Sequence, residues 1–261
     1  MRRFVAITIA AIVIAPLVGL ILWSGARSWP YPDLLPAEGT TRGLDLVTSS
    51  GSWEALVTSV VIATSVAILS SIIGLPAGRV IGLHRFRGRR LVQLCLIAPV
   101  IVPGIAVTLG LQVFFIRWGL SESILGVVLV QLVLTVPYAA TILGAAFEGF
   151  DVDLERQARV LGAGAWRATT LVTVPVLAPA LAASALLTFL ISWSEYILTL
   201  LIGGGQVQTL PLMLFAAIGS SDSTAAAALG LLVVAPPVLL VVLISRLLRG
   251  RAGLLIGMVR S

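Results

Sequence analysis

The sequence predicts an all-α, polytopic membrane protein with about six transmembrane helices, and three observations carry that expectation. Hydrophobic residues fill 59% of the 261 positions and charged residues only 11%, with a mean hydropathy of +1.10. Soluble domains carry roughly a quarter charged residues, so a water-soluble fold is excluded. The apolar residues also fall in runs of about twenty or more, the length a helix needs to cross a bilayer where every backbone polar group must be satisfied internally. Finally, all 17 basic residues are arginine, and they gather at the ends of those runs.

Taken in order, Met1, Arg2 and Arg3 precede an apolar run at 4–23. A basic start before an apolar stretch also describes a secretory signal. The run exceeds a signal core and matches a span, so a retained first helix is expected. Residues 25–53 hold Pro30, Pro32 and Pro36 with Asp33, Glu38 and Asp45, and read as an extramembrane loop. A second span covers 54–77, with Thr58, Ser59, Thr64, Ser65, Ser70 and Ser71 along it; such small hydroxylated residues let helices pack closely. Arg79, Arg85, Arg87, Arg89 and Arg90 crowd the following loop. The third span, 91–116, contains Pro99, Pro103 and Gly104 and is expected to bend. A fourth span at 123–147 contains Pro137, and a polar insert occupies 148–170. The fifth span, 171–202, runs into Gly203, Gly204 and Gly205, and residues 206–222 form a second outer segment. A sixth span at 224–248 contains Pro236 and Pro237, and a basic tail closes the chain. All of 1–261 therefore reads as one transmembrane domain.

Six spans put both termini on one face. Arg2, Arg3, Arg79, Arg85, Arg87, Arg89, Arg90, Arg156, Arg159, Arg167, Arg246, Arg249, Arg251 and Arg260 share it, fourteen against three (Arg27, Arg42, Arg117) opposite. The positive-inside rule makes that face, the insert and both termini cytoplasmic. Topology thus accounts for the +6 formal charge, and nucleic acid is not an expected partner.

Several chemistries are excluded or unsupported. The chain has no lysine, so it cannot form the phosphate-binding loop that places a lysine on the β/γ-phosphates. One cysteine, Cys95, and one histidine, His84, leave no disulfide framework, no His/Cys metal cluster and no nucleophile–base pair. An enzyme is not expected.

The insert is the polar island of the chain. Residues 154–161, LERQARVL, favour a helix with Leu154, Ala158 and Leu161 on one face. Glu155 and Arg159, four apart, are placed to pair, and Asp151 or Asp153 to cap the start. Gly162 and Gly164 predict a turn, and a second short helix runs through Trp166 towards Pro175. An amphipathic linker lying on lipid is the alternative reading. In the spans, Glu195 is the one acid within an apolar interior. Charge in hydrocarbon faces a cavity or a partner, so Glu195 with its neighbour Ser194 is expected at a pathway or gate, or else in a bond to a neighbouring helix. Gln93, Gln112 and Gln131 are weaker pathway candidates and fit interhelical hydrogen bonds as well.

The spacing of the insert resembles the cytoplasmic EAA loop of the inner-membrane permeases of type I, binding-protein-dependent ABC importers. In that pattern E-A-A is followed after three residues by Gly, and after nine more by I-x-L-P. Gly162 and Pro175 stand at the required separation, Val172 and Val174 fill the aliphatic positions, and Ala158 fits the second Ala. The chain departs at the acid and first Ala, which are Arg156 and Gln157; Glu155 stands one place early. The runs APVIVPGI at 98–105, WGL at 118–120, SWSEY at 192–196 and TLP at 209–211 resemble the same family.

The resemblance implies a type I permease fold that lines the solute pathway and works by alternating access. It implies that 153–165 is a coupling element for a separate ATPase, with Asp153, Glu155, Arg156, Ala158, Arg159, Gly162, Ala163 and Trp166 at the contact. Glu155 and Arg156 are the charges expected to meet the partner. No cofactor is expected on this chain: ATP and Mg belong to the partner. The implied partners are a cytoplasmic ATPase dimer, a second permease chain, an external solute-binding protein and bacterial inner-membrane lipid. The 98–105 run and Leu161-Gly162-Ala163 are most similar to permeases for polyamines, iron or similar small solutes, while the tail at 253–260 resembles sugar permeases. A secondary transporter or channel is the competing class; it calls for more intramembrane charge and internal symmetry than this chain has.

Overall fold

The computed structural model describes residues 2–30, 32–33 and 35–259; for 2–7, 9–11, 13, 100 and 247–259 the description extends to the backbone alone. The elements are α1 (Arg2–Ser24), a hairpin of β1 (Ala26–Ser28) and β2 (Glu38–Gly39), α2 (Arg42–Val47), α3 (Ser50–Leu83), α4 (Arg89–Ile101), α5 (Gly104–Arg117) and α6 (Ile124–Glu148). Then follow α7 (Asp153–Val160), α8 (Ala165–Ala168), a π-turn (Thr169–Thr173), α9 (Val174–Val176), α10 (Ala178–Trp193), α11 (Ile197–Gly203), α12 (Leu210–Gly219) and α13 (Ser223–Val259). Among the described residues, three helices are long and apolar enough to cross a membrane: Ser50–Leu83, Ile124–Glu148 and Ser223–Arg246. The count is five if each of two bent pairs is one span, and the described apolar stretch of α1 is Ile14–Ser24.

Both bends have local causes. The expected third span is two helices, Arg89–Pro99 and Gly104–Arg117, inclined at 90°. Val102 adopts the extended conformation (φ −73°, ψ 133°) that a following proline favours, and Pro103 opens α5 with no N–H to give. The expected fifth span is also no single rod. Ala165–Val176 and Ala178–Trp193 meet at 76° across Leu177, with Pro175 and Pro179 on either side. A second break at 194–196 separates α10 from α11.

The chain forms two compact units. In the first, Met1–Ser59 with Gln208–Leu239, the Thr224 hydroxyl donates to the Ala26 carbonyl at 2.5 Å and Arg42 pairs with Asp222. Asp222 also accepts from the Ala225 N–H at 3.1 Å, capping α13. The outer segment 206–222, read as extramembrane, contains the apolar helix α12, with Leu210, Pro211 and Leu212 buried. Pro211 starts that helix, and Ser59 accepts from the Leu210 N–H at 2.9 Å.

In the second unit, Val60–Val207 with Leu240–Ser261, Ile62, Val66, Phe115, Val127, Val130, Leu198 and Ile202 form a buried apolar cluster. Three glycines one turn apart on α3 set its approach to α6. A Cβ on Gly74 would lie 2.6 Å from Ala139, one on Gly78 2.7 Å from the Gly144 nitrogen, and one on Gly82 2.5 Å from the Gly144 carbonyl. The small residues thus let two backbones meet. This close contact fixes the end of α3 that carries Arg79.

Candidate functional site

The insert folds as α7, a turn, α8 and the π-turn, and the turn is tightly specified. The Ala163 N–H donates to the Ala158 carbonyl at 3.0 Å and the Gly162 N–H to the Arg159 carbonyl at 3.0 Å. That pair of bonds is the Schellman closure, which needs a left-handed residue at the position Gly162 fills; its φ is +90°. Asp151 caps the start by accepting from the Asp153 N–H at 2.9 Å, and Asp153 pairs with Arg156 at 2.7 Å.

The faces divide sharply. Asp153, Arg156, Arg159 and Gly162 are exposed, and Ala158 and Ala163 half-buried. Val160 is 86% exposed, Leu161 88% and Trp166 79%. Three large apolar side chains so open to solvent at the tip of a polar loop make a small surface of the kind that meets a protein partner or lipid.

Glu155 turns the other way. It was expected outward beside Arg156, yet it is only 2% exposed. Its carboxylate accepts from both terminal nitrogens of Arg79, at 2.6 and 2.5 Å, and from the Thr173 hydroxyl. The expected Glu155–Arg159 pair is replaced by this bond to α3, and Arg159 acts on the carboxylate only at longer range. The hydrogen bonds from Arg79 outweigh burial, and with the Thr173 hydroxyl they pull the Glu155 carboxyl from its ordinary 4.5 down to about 2. The Arg79 guanidinium also lies over the Phe147 ring at 5.8 Å. Arg79 therefore touches α6 and α7 from its place on α3, and Glu155 links it to the π-turn through Thr173. Beneath it Phe147, Phe150 and Leu177 pack together, with Leu75, Leu83 and Val152 against them.

Sequence reasoning assigned Arg79 to the topology arginines and did not single out Thr173 or Phe147. A signal was present: Arg79 alone of its group stands inside an apolar helical stretch, LPAGRVIGL, six residues before Arg85.

The pathway candidates lie on several elements, and Thr199 links two of them by accepting from Gln131 and donating to the Glu195 carbonyl at 3.3 Å. Gln131 is buried, donates to Thr199 at 3.1 Å and accepts from Ser192 at 2.5 Å, so it joins α6 to α10 and α11. One turn on, Thr135 bonds Ser70 of α3 at 2.8 Å. Glu195 sits in the break after α10, half-buried, and accepts from the Leu198 N–H at 3.1 Å, capping α11. It therefore lies in a break between two helices and not within a continuous one. Ser194 is exposed and donates to the Leu190 carbonyl at 2.9 Å. Gln112 is half-buried on α5. No group of three His, Cys, Asp or Glu that could hold a metal ion occurs among the described residues.

Comparison with known proteins adds to this geometry. Residues 74–253 match the family described as binding-protein-dependent transport system inner membrane component. A putative ABC transporter permease protein, ORF1 of Streptomyces antibioticus, is 33% identical over 64% of this chain and 73% of its own length. The molybdate/tungstate permease WtpB of Thermococcus kodakarensis is 31% identical over 54% of this chain and 57% of its own. The spermidine/putrescine permease PotC of Haemophilus influenzae is 27% identical over 63% and 64%. Among solved structures, a bacterial ABC transporter importing alginate superposes with a TM-score of 0.69, at 16% identity over 94% of each chain. At that identity the likeness is one of fold.

Proposed function

This chain belongs to the family of binding-protein-dependent transport system inner membrane components, and on that premise we propose that its α7–α8 loop is where a separate ATPase drives it. The chain is a multi-pass permease of an ABC importer. The observation that carries the coupling reading is the exposed tip of Val160, Leu161 and Trp166, held rigid by the Gly162 turn. Apolar side chains cost free energy in water, and a cleft on a partner removes that cost. ATP and Mg act on the partner, since this chain has no lysine to build a phosphate loop. Both termini and the loop are cytoplasmic on the arginine distribution. An ATPase dimer, a second permease chain and an external solute-binding protein complete the assembly.

In this reading, closure of the ATPase pushes α7, the spans tilt, and the pathway opens outward to receive solute. The exposed charges Asp153, Arg156 and Arg159 rim the contact, while Ala158, Gly162 and Ala163 shape it. For the solute we propose a small polyamine-type compound, supported by the 98–105 run and by the PotC relative. A molybdate-type oxyanion or a saccharide is the second reading, supported by the WtpB relative and by the tail at 253–260.

The coupling reading is tested by purifying the tagged chain from its native membrane. An ABC ATPase is expected to accompany it, and Trp166→Ala is expected to cut recovery of that ATPase by about tenfold or more, as loss of a buried aromatic anchor does. Recovery of the chain without an ATPase contradicts the reading. Ligand binding by the solute-binding protein that co-purifies decides the solute.

A further inference from the structure

We propose that Arg79, Glu155 and Thr173 form a cross-tie that makes α7 and the cytoplasmic end of α3 move as one body, so that force on the coupling loop reaches a spanning helix directly. The proposal rests on the coupling reading above and adds the route by which movement enters the spans. Four observations carry it. The Arg79–Glu155 pair is bidentate, with both guanidinium nitrogens on both carboxylate oxygens at 2.6 and 2.5 Å, the geometry that fixes orientation as well as distance. Glu155 is 2% exposed, so water does not screen the bond as it would a surface pair. The Thr173 hydroxyl donates to the same carboxylate, which ties in the turn that leads to α10. Finally, Phe147 on α6 covers the guanidinium, and Gly78 and Gly82 on either side of Arg79 press α3 against α6.

The elements on the two sides of the tie differ in rigidity. α3 runs unbroken through 34 residues. The chain after α8 passes through a five-residue π-turn and then a 76° bend. A wide turn and a bend absorb displacement, as π-bulges at functional sites do. Without the cross-tie, a push on α7 is taken up by that bend. With it, the push is shared with α3, which continues as one helix through Pro76. Arg79 and Glu155 are therefore positioning residues: neither is placed to touch the ATPase or the solute.

The test uses the full chain in its complex with the ATPase, in lipid, with Cys95→Ser and nitroxide labels at exposed Ile72 on α3 and exposed Gln157 on α7. Spin–spin distances are measured without nucleotide and after trapping with ATP and vanadate. The wild-type distance is expected to stay within about 2 Å between the two states, and in Arg79→Gln to shift beyond that or split on trapping. Thr173→Val, a milder change, is expected to shift less in the same direction. The charge swap Arg79→Glu with Glu155→Arg is expected to restore the single distance, which general damage to the fold would not allow. A wild-type distance that changes on trapping, or an Arg79→Gln and a Thr173→Val distance that do not, overturns the cross-tie alone. A wild-type chain that brings no ATPase overturns the coupling reading and the cross-tie together.

Discussion

Replacing Gly78 with alanine adds one methyl group at a close approach of two helices. The new Cβ would lie 2.7 Å from the Gly144 nitrogen, 2.9 Å from the Leu143 carbonyl carbon and 2.9 Å from the Leu143 Cβ. Two of those three atoms are backbone, which cannot rotate away, so α3 and α6 must separate. Overpacking of this kind costs about 1–3 kcal/mol. Alanine returns about 1 kcal/mol of helix propensity, which leaves a net loss of about 0–2 kcal/mol. Gly110 on α5 is the control, because a Cβ there meets nothing within 4 Å; Gly110→Ala is expected to be neutral or stabilising by up to about 1 kcal/mol. Reversible unfolding of the full chain in mixed micelles, titrated with SDS, measures both. The two variants should differ by about 2 kcal/mol, with Gly78→Ala the less stable. Equal stabilities, or a more stable Gly78→Ala, would refute the close approach of α3 and α6.

Two further outcomes follow from the loop itself. Glu155 titrates at about 2 rather than 4.5, so its charged form is held more tightly in the folded state. That stability is fully present above about pH 4.5 and is lost as pH falls towards about 2, in all about 3 kcal/mol; unfolding followed across this window should show the loss, and Glu155→Gln should be less stable at pH 7 and nearly flat below it. A steep slope retained in Glu155→Gln assigns the effect to another group. Gly162→Ala places an L-residue at φ +90°, at a cost of about 1–2 kcal/mol, whereas Gly164, at φ −65° with nothing within 4 Å of an added Cβ, should tolerate alanine; amide exchange in α7 distinguishes them, and equal protection in both variants would contradict the Schellman turn.

Much of this architecture was legible from local chemistry. The polar insert declared α7 through LERQARVL, and Gly162 declared its own turn because only a left-handed residue closes a helix that way. Pro99 and Pro103 announced the third-span bend, though the 90° angle depends on how α4 and α5 pack. What the sequence hid was partnership across distance. Glu155 and Arg79 lie 76 residues apart, and an arginine after a span reads as a topology signal until α7 is folded back onto it. The same limit applies to Glu195: an acid in an apolar run looks like intramembrane charge, and only the break between α10 and α11 reveals that it caps a helix. The helix α12 was missed because its polar flanks and short apolar run match a surface segment as well as a packed one.

The tip of the α7–α8 loop is proposed to seat in a separate ATPase. A photoactivatable thiol probe at Leu161→Cys, in the Cys95→Ser chain and in native membranes, tests it at the most exposed of the three tip side chains. A crosslink to an ABC ATPase is expected, absent when the probe is moved to Val57 on α3, which is exposed but lies in a spanning helix. A probe at Leu161 that labels only lipid, with the ATPase uncrosslinked, would contradict it.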